Sequence, residues 1–231
     1  MKEVARPLNR AEVLLLKKCR ANTEEALHKV FRIRALIGAL VLGGLSAYAA
    51  WRIHGGFFSF ILGTIAVVCF SFVAFAPFQF YKYHKLLKRQ LADIDAFLAA
   101  NLLKVVPVHA LQIATAEEFE DEGDLFIVEY ERDHVLFLWD NDFNLRKRFP
   151  CLQFEIYETS FARLINRQIY TASEKIRPVR IDRKNKWAYM QKIGAPENLT
   201  TERIRFDELV EQYNAVLINP GPNGEPNAYG V

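Results

Sequence analysis

The sequence predicts an α+β membrane protein: a two-helix transmembrane hairpin with cytosolic helical flanks and a small β-rich C-terminal domain closed by a helix. Three observations carry this. Between Ala35 and Ala76 the only ionisable side chains are Arg52 and His54. Two apolar stretches there are each long enough for the ~30 Å hydrocarbon core at ~1.5 Å per helical residue. Beyond residue 106 the pattern changes to short apolar runs bounded by turn residues, the mark of strands.

Charge divides the chain in the same place. Residues 1–105 hold 15 Lys+Arg against 6 Asp+Glu, and residues 106–231 hold 15 against 21. The acidic second part is not built to attract nucleic acid. Cys19, Cys69 and Cys151 are far apart, an odd number without a CxxC spacing, which argues against a disulfide framework and against a zinc site. The first apolar stretch begins only after 34 polar and basic residues, unlike a cleavable signal peptide.

In chain order, residues 1–34 read as a cytosolic amphipathic segment, helical from residue 9, as two short helices or one broken near residue 21. Asn22-Thr23-Glu24-Glu25 is the expected start of the second. The hairpin follows, with spans 35–53 and 57–76 joined by His54-Gly55-Gly56. A stripe of small residues (Ala35, Ala39, Gly43, Ala47), with Gly63 in the second span, permits close helix approach in lipid, between the two spans or between copies in a homo-oligomer. Trp51 and Arg52 suit the far interface, and Tyr81, Tyr83 and Lys85 the near one. Basic residues flank the outer ends of the hairpin and are nearly missing from its turn. This places both termini in the cytoplasm and the hairpin in the inner membrane.

Residues 77–105 read as a juxtamembrane helix with a seam at Leu87, Leu91, Ile94, Leu98 and Leu102, ended by Pro107. In the domain spanning 106–218 the expected strands are 110–115, 125–131, 134–140, 152–158, 179–182, 187–192 and 203–206. Turns are expected at 131–133 and 183–186, and helices at 160–167 and 207–215. The tail 219–231 has the Pro/Gly composition of a disordered segment.

Chemistry-bearing motifs are sparse. Asp140-Asn141-Asp142-Phe143-Asn144 opens like a calcium loop, but Leu145 and Cys151 stand where the loop needs Gly and Glu. The acidic run Glu117–Asp124 reads as a solvated loop. His28, His54, His84, His109 and His134 have no metal-ligand spacing, and Ser160 and Cys151 have no local catalytic partner. No phosphate loop, GxSxG elbow or HExxH is present. No cofactor is expected. The basic turn Arg183, Lys184 and Lys186, with Trp187, is the candidate contact for anionic headgroups.

The order of parts over residues 35–215 resembles bacterial membrane-tethered pleckstrin-homology-like proteins. The resemblance lies in layout and implies no functional residue. The function expected is a non-enzymatic membrane-anchored adaptor or sensor, bound to the lipid bilayer and to a protein partner near the inner leaflet. The rivals are a subunit of an oligomeric transport or secretion assembly and a membrane-tethered enzyme with a dispersed site.

Overall fold

The computed structural model describes residues 1–29, 33–53, 55–119, 122–141, 145 and 147–215. The expected disordered tail, His54 and most of the 140–144 loop lie outside them. The chain is mixed α+β, with two long apolar helices of a length and composition able to span a membrane and a sheet-rich C-terminal region. It forms two compact units. One is Pro7–Leu103, and the other joins Met1–Arg6 to the chain from Lys104 onward.

The first unit is three helices: α1 (Arg10–Lys29), α2 (Ile33–Arg52) and α3 (Phe57–Ala100). Helix α1 is one unbroken helix, so the expected break near residue 21 and the start at Asn22 are corrected. The start is Asn9, whose side chain accepts from the Glu12 backbone N–H while Glu12 returns a carboxylate to the Asn9 N–H, both at 2.8 Å. This reciprocal cap satisfies two backbone donors that a helix start otherwise strands. Thr23, inside the helix, donates its hydroxyl back to the Cys19 carbonyl. Helix α3 runs 44 residues through Pro77. Its C-terminal half packs on α1 through a buried seam that includes Leu87, Ile94 and Leu16. Arg20 bridges to Asp95 at 2.8 Å. Leu102, placed in that seam by its spacing, is exposed and lies past the helix end. The helix stops at Asn101, which takes the left-handed conformation and donates its N–H to the Phe97 carbonyl.

The second unit has two sheets and three helices. One sheet orders β1 (Val4–Arg6), β2 (Leu103–His109), β6 (Gln153–Tyr157) and β7 (Ile169–Thr171). The other orders β8 (Val179–Ile181), β3 (Gln112–Ala116), β4 (Asp124–Glu131), β5 (His134–Asp140) and β9 (Thr201–Glu202). Helices α4 (Thr159–Ile165), α5 (Arg183–Ile193) and α6 (Phe206–Ala215) complete it. Between the sheets lies a core containing Val108, Phe126, Val128, Leu138, Phe149, Phe154 and Ile156. On the opposite face of the five-stranded sheet, Leu125, Ile127, Phe137 and Trp139 meet Tyr189, Phe206, Leu209 and Tyr213 from α5 and α6. A strand buried on both faces has no polar face to alternate with, hence the unbroken runs Leu-Phe-Ile-Val and Val-Leu-Phe-Leu-Trp.

Four expectations are corrected here. The juxtamembrane helix ends at Ala100 and not at 105, and Pro107, expected to terminate it, lies inside β2 opposite Glu155. The segment 187–192 is helical. The basic residues at 183–186 open α5 and form no hairpin turn, because Asp182 caps that helix by accepting the Lys184 N–H at 2.8 Å. The strand expected at 203–206 is the two-residue β9 at 201–202, and Phe206 already belongs to α6. Strands β1 and β7 had no counterpart in the sequence reading.

Candidate functional site

The expected membrane residues fall on two faces of the hairpin. Gly43 is buried where α2 meets α3: a Cβ there would sit 2.9 Å from the Cys69 Cβ. Ala39, Ala47 and Gly63 are half-buried and Ala35 is exposed. The Ser59 hydroxyl donates to the Ala50 carbonyl at 3.0 Å, tying the two helices near their turn. Trp51, Arg52, Tyr81, Tyr83 and Lys85 are all exposed.

The expected headgroup patch does not hold together. Arg183 and Lys184 are exposed, and Trp187 is half-buried, its ring centroid 6.1 Å from that of Phe119. Lys186 is fully buried. Its Nζ donates to the Gly123 carbonyl at 3.0 Å, lies 3.4 Å from a Glu122 carboxylate oxygen and sits 5.5 Å from the centre of the Trp139 ring. One helical turn carries Lys186 inward from the Asp182 cap, where a hairpin tip would have held it in water. Burial lowers the Lys186 pKa from its ordinary value, and the charges of Glu122, Asp124 and Glu118 oppose that shift. Gly123 is fixed by the same arrangement. Its φ is +86°, and a Cβ would lie 2.9 Å from the Asp140 carbonyl oxygen. The acidic run thus contributes counter-charges to a buried cation, where the sequence favoured a solvated loop over a run that attracts a cation or a basic partner. The signal available was Asp182 followed by Lys186, Tyr189 and Met190 at helical spacing.

Cys151 is buried and donates its thiol to the Gln153 carbonyl, and burial pushes its pKa up. A thiol so placed is a poor nucleophile. Among the described residues no group of three or more His, Cys, Asp or Glu is arranged to hold a metal ion.

A cleft of about 920 Å³ opens at the β8 edge of the sandwich, a feature the sequence reading missed. Thr115 pairs with Phe126 on one side and with Arg180 on the other. Residues directly opposite in neighbouring strands share a face, so this row points toward the inter-sheet core. Phe126, Phe149 and Ile176 supply an apolar floor, and Lys175, Arg177, Arg180 and Arg183 bring cations to the walls. The residues are scattered from 115 to 183, and only the parallel pairing of β3 with β8 assembles them. A smaller cavity of about 270 Å³ lies between Trp139, Tyr157, Arg163 and Leu199.

Comparison of the chain with protein-family models, with curated proteins and with solved structures finds no match.

Proposed function

We propose that this chain is an integral membrane protein. The α2–α3 hairpin crosses the inner membrane twice and both termini are cytoplasmic. The β-rich unit is a non-enzymatic adaptor or sensor held beside the inner leaflet, where it binds a partner protein. The observation that carries the reading is the surface of the hairpin. Leu40, Val41, Leu45, Phe57, Phe58, Phe60, Val67 and Phe75 are all more than half exposed, Phe60 at 74%. Each such side chain forfeits roughly 2 kcal/mol by staying in water, so the hairpin as a whole forfeits more than ten. A core helix of a water-soluble protein would be covered, and these two are not.

The sidedness has separate support. Strand β1 belongs to the same sheet as β2, β6 and β7, and the Arg6 Nε donates to Glu155 at 2.9 Å. A chain whose first residues form a strand of the C-terminal domain keeps both on one side. The asymmetry of basic residues then favours the cytoplasm.

Alkaline carbonate extraction and cysteine labelling test this. The chain should stay in the membrane pellet. In a background with the native cysteines changed to serine, Phe57→Cys should react with an impermeant maleimide on intact cells. Lys184→Cys should react only after permeabilisation. Release into the supernatant, or labelling of Lys184→Cys on intact cells, would overturn the reading.

A further inference from the structure

We infer that the cleft at the β8 edge is a binding site for a small amphipathic organic anion, its charged group held by Arg177, Arg180 and Arg183 and its apolar body by Phe126, Phe149 and Ile176. Three of the four acidic side chains that line the cleft, Glu118, Asp124 and Asp182, are already engaged, and Glu117 is the fourth. Asp124 accepts the Glu118 N–H at 2.9 Å, Asp182 caps α5, and the buried Lys186 serves as cation for Glu122, Asp124 and Glu118. The guanidinium groups of Arg177, Arg180 and Arg183 have no hydrogen-bond or ion-pair partner among the described residues. Three guanidiniums around one concavity, unpaired among the described residues, attract an anion, and their planar forks match a carboxylate or phosphate.

The second observation is polar and buried. Thr115 borders the cleft, and its Oγ1 is turned away from water and has no hydrogen-bond partner. It neighbours Arg180 in the parallel pairing. A buried hydroxyl left unpaired costs about 1–3 kcal/mol, a local strain at the wall beside Arg180. The third is size. A volume of about 920 Å³ falls within the roughly 300–1,000 Å³ of small-molecule sites. The site lies wholly within the β-rich unit, so it stands or falls apart from the membrane reading.

Arginine modification tests it on the full chain in phosphatidylcholine nanodiscs. Phenylglyoxal labels guanidinium groups, and mass spectrometry reads each residue. Phenyl phosphate at millimolar concentration should slow labelling of Arg180 at least fivefold. Phenol, which lacks the charge, and inorganic phosphate, which lacks the ring, should each slow it less than twofold. Arg132, exposed on the β4–β5 turn, serves as the reference. Arg180→Gln should abolish the protection of Arg177 and Arg183. Nanodiscs containing phosphatidylglycerol, without added phenyl phosphate, separate the two sources. Protection there assigns the anion to a lipid headgroup, and its absence alongside protection by phenyl phosphate assigns it to a soluble compound. Equal slowing at Arg132, or unchanged labelling of Arg180 in every arm, would overturn the inference.

Discussion

Lys186 shows how far one residue can depart from what its type suggests. A lysine in a basic run reads as solvated, but this one is the buried cation of the β-rich unit. Lys186→Met keeps the volume and leaves the Glu122 carboxylate without its partner. Loss of one member of a buried pair costs about 3–5 kcal/mol. The expected result is a fall of that size in chemical denaturation, largely restored in Lys186→Met/Glu122→Gln. A variant as stable as the parent would show that the pair contributes nothing. The pH dependence has a definite sign. Burial holds the folded-state pKa of Lys186 below 10.5, so the unfolded chain binds more protons in the window just beneath that value. Stability from this group therefore rises with pH there. Tyr189, Tyr213 and Cys151, pushed up by burial, act in the opposite sense at the alkaline end. Subtracting the curve of Lys186→Met from that of the parent isolates the lysine, and the difference should grow as pH rises toward 10.5. Gly43 gives a second residue-scale expectation. Gly43→Leu should loosen the hairpin by about 1–3 kcal/mol, as overpacking does. Gly44→Leu, where nothing lies within 4 Å of an added Cβ, should not. Thermal unfolding in detergent measures both.

Elements were legible in the sequence where local chemistry and tertiary environment agreed. The runs at 125–128 and 135–139 could be read as strands because burial on both faces leaves them wholly apolar. The two long apolar helices were legible for the related reason that their stretches carry almost no charge. Helix α5 was misread because its buried face carries Lys186 and Asn185, residues that a hydrophobic pattern does not count. Strand β2 was misread because Val105-Val106 extends the apolar seam of α3 and Pro107 looks like a helix stop. The cleft was invisible because a three-residue strand, β8, reaches back more than sixty residues to pair with β3. At the start of α1 the cap makes a test at this scale. Asn9→Ala removes the acceptor of the Glu12 N–H and should cost about 1 kcal/mol. Hydrogen exchange should show faster opening confined to the first turn of α1. Acceleration spread over the whole helix would mean that the cap does more than hold its end.

For the whole molecule, the consequential element is the shortest one read at the N-terminus. Strand β1 is three residues of the second unit, separated from the rest of that unit by the entire helical unit. The chain therefore begins in the β-rich unit, leaves it to build three helices and returns at β2. An arrangement of this kind couples the first residues to the C-terminal domain whatever the hairpin does. The coupling can be measured. The Arg6 side chain meets Glu155 of β6 across the intervening strand β2, with each side chain about one-fifth exposed. Arg6→Glu should destabilise the β1 edge, Glu155→Arg should do the same, and the double reversal should recover part of the loss. A half-buried pair of this type is expected to show a coupling of about 1 kcal/mol in the double-mutant cycle. Amide exchange in β1 and β2 is the readout, because it reports the edge locally. Additive single effects would mean that β1 is held by backbone pairing alone. In that case deleting residues 1–6 should expose the edge of β2, while charge reversal leaves it protected.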